Sequence, residues 1–280
     1  MKTINQHLAS AMKELEVSDT AGLDATVLLS HATGLSRIEI ITHGDDALTE
    51  EQESKFQELI ERRKKLEPIA YITGEKEFWG LDFAVEEGIL IPRPDTETII
   101  ATLLTLIPDA DTKLTVADLG TGSGAIIISL LTEFKNMIGF ATDINPLALK
   151  ISHRNAKTHG VDNRLTLLEG SWTEPLEEKI NIIISNPPYI PTSDVETLMP
   201  DVKDFEPELA LDGGKDGLDC YRELIPKAYD KLLDGGILVL ETGHDQHKDI
   251  YKILKQQQWK EIKSFQDLAK RDRVIIALKL

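Results

Sequence analysis

Along the first part of the chain, apolar residues return at every third or fourth position. Ile4, Leu8, Met12 and Leu15 form one such stripe, and Leu23, Val27, Leu28 and Ala32 form another. That spacing puts each set on one face of an α-helix. A shorter helix is expected around Ser36 to His43. Thr49 followed by Gln52 makes a capping-box pattern and opens a helix expected to run to about Leu66, stopping before Pro68. These segments predict a small helical bundle. After Pro68 the period changes, and "AYITGEKEFWGLDFAVEEGILIPRP" alternates apolar and polar residues around glycines, which predicts a β-hairpin. From Asp95 onward the strand-like runs "KLTVADLG", "NMIGFATD", "LTLLEG", "INIIISN" and "GGILVLETG" are separated by helical segments. Such alternation implies parallel strands joined by right-handed crossovers, hence a doubly wound α/β sheet. "EIKSFQDLAKRDRVIIALKL" has two strand-like runs and no helix between them, so an antiparallel hairpin is expected to close the sheet. The expected division is a helical bundle over residues 1–72, a β-hairpin connector over 73–92 and an α/β domain over 93–280.

Composition narrows the class. At 41% hydrophobic and 28% charged residues, the 280-residue chain reads as an ordinary globular protein. The segment "MKTINQHLASAMKELEV" has no unbroken apolar core, and no apolar run is long enough for a membrane span, so a cytoplasmic protein is expected. Cys220 is the only cysteine, which rules out an internal disulfide and a cysteine-cluster metal site. With 31 Lys and Arg against 48 Asp and Glu, the net charge of −17 argues against a partner bound through its phosphates. The basic run Arg62-Arg63-Lys64-Lys65 falls at the end of an expected helix, where cations suit the helix dipole.

Two loops carry the candidate chemistry. In "VADLGTGSGAIIISL", Gly120, Gly122 and Gly124 lie between a strand and a helix, where glycines permit a tight turn and close approach of a ligand. The pattern alone also fits a relaxed dinucleotide fingerprint. Asp118 separates the readings, because a carboxylate there repels a pyrophosphate and attracts a ligand with a cationic amino-acid end. S-adenosylmethionine has such an end and no phosphate. Asp143 ends the next strand, where its two oxygens suit the hydroxyls of a ribose; the alternative is an N-cap for the helix at Asn145-Pro146. Trp172 either faces an adenine or packs against a helix.

The second loop, Asn186-Pro187-Pro188-Tyr189, follows the strand "INIIIS". Two adjacent prolines cannot continue a central strand, so a rigid loop begins there. In the usual strand order it emerges beside the glycine loop. A planar nitrogen, an amide or an exocyclic amine, is a poor nucleophile because its lone pair is delocalised. The oxygen of the Asn186 side chain and the carbonyl of Pro187 can each accept one of its N–H groups, and Tyr189 can stack on its plane. Catalysis of this kind is mostly positioning and needs no strong base. The residues alone leave open which planar nitrogen is the acceptor. Nothing in this chemistry calls for a metal, and His244 and His247 read as the solvated start of a helix.

"PIAYITGEKEFWGLDFAVEEGILIPRPDTE", "DLGTGSGAI", "ATDINPLAL", "SNPPYIP" and "FEPELALDGGKDGLDCYRELI" together resemble the HemK/PrmC family, the peptide chain release factor N5-glutamine methyltransferases. The resemblance covers nearly the whole chain, and "LIPRPDTE" and "EPELALDGG" are its most distinctive parts. It implies a seven-stranded Rossmann-like methyltransferase sheet and methyl transfer from S-adenosylmethionine, yielding S-adenosylhomocysteine. The implied acceptor is the glutamine of the GGQ motif in class-one release factors. It also implies that Gly120, Thr121, Gly122, Ser123, Gly124, Asp143, Trp172 and Asn186 bind the cofactor, and that Asn186, Pro187, Pro188 and Tyr189 bind the glutamine. Asn186 and Pro187 are the implied catalytic positions. "IPRPDTE" is expected to line the same pocket, with Arg93 and Glu97 either functional or paired with each other; Asp95 stands where the family usually has Glu. The helical domain is implied to help grip the release factor, and a monomer with no nucleic-acid or membrane partner is expected. The alternative is an N6-adenine or N2-guanine methyltransferase using the same loop. No chemical role follows from the sequence for "LDGGKDGLD".

Overall fold

Capping chemistry sets the start of several helices. In the computed structural model, which describes residues 2–280, Thr3, Ser36 and Thr49 each cap a helix reciprocally with Gln6, Glu39 and Gln52. The helices are Ile4–Glu14, Arg37–Thr42 and Glu50–Arg63, and the helix Ala21–Thr33 lies between the first two. Thr49 Oγ1 accepts from Gln52 N at 3.2 Å while Gln52 Oε1 accepts from Thr49 N at 3.0 Å. Replacing Thr49 by Ala is expected to cost about 1 kcal/mol and lower the thermal midpoint of unfolding; an unchanged midpoint would show that the cap contributes nothing.

The buried stripe of the first helix is Ile4, His7 and Ala11, continued by Leu15. Met12, expected inside, is 47% exposed, and Leu23 in the next helix is 51% exposed. The helix Ala21–Thr33 instead buries Ala25, Leu28, Leu29 and Ala32. Ile4, Leu15, Leu28 and Ala32 are buried as the spacing predicts, and only at Met12 and Leu23 does hydrophobicity point outward, with His7, Ala11 and Ala25 taking inner positions. The third long helix stops at Arg63 rather than near Leu66, whose backbone turns left-handed at φ 65°. The segment Ile69–Thr73, expected in the hairpin, is a short helix. Arg62, Arg63 and Lys64 of the basic run make internal pairs. Arg63 is buried against Asp24 at 2.7 Å, Arg62 Nε donates to Glu67 at 2.9 Å, and Lys64 pairs with Glu61 at 2.8 Å. By contact density, the stretch through Glu75 forms one unit together with Met199–Phe205, in which Arg63 also approaches Asp201 at 3.9 Å.

The second unit, Lys76–Leu198 with Glu206–Leu280, carries the sheet. A two-stranded hairpin, β1 (Glu75–Phe78) and β2 (Leu81–Ala84), precedes it. The main strands are β3 (Thr115–Leu119), β4 (Ile138–Asp143), β5 (Leu165–Glu169), β6 (Ile180–Ser185), β7 (Leu232–Glu241), β8 (Trp259–Gln266) and β9 (Asp272–Lys279). They form a seven-stranded sheet in the order β5-β4-β3-β6-β7-β9-β8. The first five strands in that order are parallel, and β9 runs antiparallel to both β7 and β8. The mostly parallel, doubly wound sheet and its closing antiparallel hairpin are therefore as the sequence predicts. Isoleucine-rich β6 shows why it is central: Ile182 and Ile184 enter the apolar layer on one face, Ile183 the layer on the other. Strands buried on both faces read as continuous apolar runs rather than alternating ones. Among the described residues no helix is long and apolar enough to cross a membrane.

Candidate active site

Strand order reverses direction at β3, which has β4 on one side and β6 on the other. In open parallel sheets, ligands bind outside the carboxyl ends of the strands at such a point. The register pairs Leu119 with Ser185, so the residues that follow, Gly120 and Asn186, leave the sheet side by side. Ser185 Oγ donates to Leu119 O at 2.7 Å and ties the two strand ends together. A cavity of about 350 Å³ opens there.

Gly120, Thr121, Gly122, Ser123, Asp143, Trp172, Asn186, Pro187 and Pro188 all line this cavity. Gly120 and Gly122 have φ of 74° and 57°, and a Cβ on either would enter open space. Their backbone is held from β4: Thr142 O accepts from Gly120 N at 2.8 Å and from Thr121 N at 3.0 Å. Asp143 Oδ2 accepts from Gly122 N at 2.9 Å and its Oδ1 from Asn145 N at 2.8 Å. Asn145, not Asp143, caps the helix Pro146–Thr158, with Oδ1 accepting from Leu147 N at 3.0 Å. Burial raises the pKa of Asp143, and the N–H groups of Asn145 and Gly122 oppose that shift. Trp172 is left-handed at φ 48°. It lines the cavity and also packs against the apolar layer formed by residues such as Leu240 and Tyr221.

Two expected residues lie outside the cavity lining. Gly124 starts the helix Ala125–Glu133, where a Cβ would meet Ser152 Oγ at 2.5 Å, so its lack of a side chain serves helix packing. Tyr189 packs its ring on the same apolar layer as Trp172 and donates its hydroxyl to Glu241 Oε1 at 3.4 Å. Asp118 is fully buried beneath the glycine loop and also does not line the cavity. Its Oδ2 accepts from Thr121 Oγ1 at 2.7 Å, and its Oδ1 is buried without a partner. Burial pushes its pKa up to about 7, with Asp143 pushing the same way and the Thr121 hydroxyl opposing. Its influence on a ligand therefore passes through Thr121 and the loop.

"IPRPDTE" contributes Pro92, Arg93 and Thr96 to the cavity wall. Arg93 pairs with Glu206, not with Glu97, because Glu206 is buried and also accepts from Ile91 N at 3.1 Å. Glu97 Oε1 accepts from Trp79 N at 2.9 Å instead. Asp95 pairs with Arg273 of β9 at 2.9 Å. Cys220, in the helix Asp219–Lys231, is partly buried and lines the cavity; burial pushes its thiol up to about 11.

"LDGGKDGLD" wraps the Asn186 loop from behind. Ile190 N donates to Leu211 O at 3.0 Å, Gly213 N to Ile190 O at 2.8 Å, and Thr192 N to Gly214 O at 2.9 Å. A Cβ on Gly213 would lie 2.8 Å from Pro188 O and from Tyr189 Cα. Gln246 Nε2 donates to Tyr189 O at 2.8 Å and to Gly217 O at 3.1 Å, closing the clasp from a third segment. The sequence signal for it is the doublet Gly213-Gly214 followed by Gly217 in "LDGGKDGLD", where only backbone-to-backbone approach needs so little side chain.

Residues 6–74 match the family model described as the PrmC N-terminal domain, and residues 95–200 match the methyltransferase small domain. A release factor glutamine methyltransferase of Moorella thermoacetica is 39% identical over 98% of this chain and 98% of its own length. One of Geobacter sulfurreducens is 40% identical over 92% and 89%. Among solved structures, a methyltransferase from Pyrococcus furiosus superposes with a TM-score of 0.53 at 21% identity, covering 81% of this chain and 98% of that one. A T. thermophilus 16S rRNA methyltransferase does so with a TM-score of 0.54 at 15% identity, covering 74% and 50%. At these identities the two structures show the shared fold.

Proposed function

This chain belongs to the release factor glutamine methyltransferase family, and from that premise we infer that it transfers a methyl group from S-adenosylmethionine to the side-chain amide nitrogen of the GGQ glutamine in class-one release factors. The observation that supports this site most directly is the pairing of Leu119 with Ser185, which sets the glycine loop and the Asn186 loop side by side at one cavity.

The residues present fit the cofactor. Open space over Gly120 and Gly122 leaves their backbone approachable. Each Asp143 oxygen already accepts one N–H, and a carboxylate oxygen has a further lone pair for a ribose hydroxyl. Trp172 offers an aromatic face at the same cavity. S-adenosylmethionine, when bound, supplies an electrophilic methyl group on a sulfonium. Asn186 and Pro187 then supply the positioning. Asn186 Nδ2 donates to Thr96 Oγ1 at 3.4 Å, which leaves Asn186 Oδ1 as the atom offered to an incoming N–H. Among the described residues no donor takes the Pro187 carbonyl, so it can accept the second N–H. With both N–H groups held, the acceptor nitrogen is fixed, and the two acceptors favour the electron distribution that develops as nitrogen forms its new bond. Pro188 lines the same cavity, and Tyr189, packed on the apolar layer outside the lining with its hydroxyl on Glu241, backs the loop rather than stacking on the acceptor. We assign recognition of the release factor to the helical domain, residues 1–72, the connector role to 73–92 and catalysis to 93–280, in a cytoplasmic monomer.

The nucleic-acid alternative finds no support in the charges, since the net charge is −17 and Arg62, Arg63 and Lys64 are engaged by acidic partners. The deciding assay supplies methyl-labelled S-adenosylmethionine with a release factor, either wild type or with its GGQ glutamine changed to alanine. Label is expected in the wild-type factor alone; label in both factors, or in RNA and neither factor, would overturn the glutamine assignment.

A further inference from the structure

The amide of Asn186 has two ends of similar shape, and only one is useful to the reaction. With its oxygen toward the acceptor nitrogen it holds an N–H group; rotated by half a turn it presents two competing donors. The side chain therefore needs a neighbour that distinguishes oxygen from nitrogen.

Thr96 meets that need. It is buried, sits at the end of the one-turn helix Pro94–Thr96, lines the cavity, and its Oγ1 takes the Asn186 Nδ2 hydrogen at 3.4 Å. A hydroxyl has a single hydrogen, and Glu241 decides where that hydrogen points. Glu241 ends β7, is buried, and its carboxylate is near enough to the Thr96 hydroxyl for that hydroxyl to hold its pKa down. Tyr189 donates to Glu241 Oε1 at 3.4 Å from another side, and Oε2 is a buried acceptor with no partner within normal hydrogen-bond geometry. A carboxylate only accepts, so a buried hydroxyl beside it turns its hydrogen toward the unpartnered Oε2, which leaves the Thr96 oxygen to accept from Asn186 Nδ2. A rotated Asn186 would set its carbonyl oxygen against the lone pairs of a hydroxyl whose hydrogen is already committed.

We propose that Thr96, held by Glu241, is a positioning residue that locks the Asn186 amide with Oδ1 toward the methyl-accepting nitrogen. This rests on the role given to Asn186 above. Protonating Glu241 would undo the lock, because a carboxylic acid can donate to Thr96 and release the Thr96 hydroxyl to bond the wrong end of Asn186. Burial pushes the Glu241 carboxyl up to about 7. Asp95 pushes it the same way, while Thr96, Arg273 and Tyr189 hold it down, and Tyr221 donates to the main-chain oxygen of Glu241 at 2.8 Å. The carboxylate form that locks the amide predominates above that pH, so kcat is expected to fall as pH drops through about 7.

The test uses the full chain, S-adenosylmethionine and a release factor, with Thr96→Val, Thr96→Ser, Glu241→Gln and Asn186→Ala. Thr96→Val is expected to lower kcat about tenfold, the worth of one oriented hydrogen bond, with KM for the release factor unchanged. Thr96→Ser should restore the rate. Glu241→Gln should be slow and lose the acidic fall in kcat near pH 7. Wild-type kcat in Thr96→Val, or a raised KM with kcat intact, would overturn the lock if Asn186→Ala is inactive. Activity retained in Asn186→Ala would overturn the underlying reading instead. Should Thr96→Val fail to fold, the Glu241→Gln pH profile decides, since an unchanged acidic limb is incompatible with the lock.

Discussion

Asn186→Ala is expected to lower kcat by about a hundred- to a thousandfold, equivalent to about 3–4 kcal/mol of transition-state stabilisation, while S-adenosylmethionine binding stays within a few fold. The magnitude follows from what the residue does at the site. The acceptor amide is a poor nucleophile until its hydrogens are held, and Asn186 Oδ1 is one of two acceptors available to hold them, the other being the Pro187 carbonyl. The cofactor groups stand on other elements: Asp143 at the end of β4, and Gly120 and Gly122 after β3. Removing the Asn186 side chain leaves all of them in place. Single-turnover transfer with a saturating release factor, set beside equilibrium binding of the cofactor, separates the two effects. If cofactor binding falls in step with kcat, Asn186 acts on the donor and not on the acceptor.

The two loops at the site were legible because each is a local run of sequence. Glycines between a strand and a helix, and a diproline after an isoleucine-rich strand, carry their meaning within a few residues. The parallel sheet was legible for a similar reason, since each strand is a short apolar run bounded by a turn. What stayed hidden depends on contacts far apart in the chain. Thr96 meets Asn186 across 90 positions, Tyr189 meets Glu241 across 52, and Gln246 reaches Tyr189 across 57. No period or motif links such pairs. Arg93 illustrates the same limit: its nearby candidate Glu97 is engaged by Trp79, and its actual partner Glu206 lies 113 residues away. In the helical bundle the difficulty was different. His7 and Ala11 take inner positions that hydrophobicity assigns to Met12, because close helix packing favours residues that fit over residues that are merely apolar.

The clasp behind the Asn186 loop gives the second large effect. Gly217→Ala is expected to lower kcat about a hundredfold, the cost of shifting a catalytic group by about an ångström. Gly217 has φ of 73°, so alanine there also bears a left-handed strain of about 1–2 kcal/mol. The greater harm is local. The added Cβ would overlap Tyr189 O and lie 2.5 Å from Gln246 Nε2, the donor that bridges Tyr189 O and Gly217 O. Both neighbours are fixed, one as backbone and one by its two hydrogen bonds, so the strain is relieved by moving the Asn186-Pro187-Pro188-Tyr189 loop. Gly235→Ala separates this from strain alone. Gly235 has φ of 79°, yet a Cβ there meets nothing within 4 Å. It should lose similar backbone stability and keep its kcat. Equal kcat in the two variants would mean that "LDGGKDGLD" serves folding only, whereas a gap of two orders of magnitude between them would make the clasp part of the positioning on which methyl transfer depends.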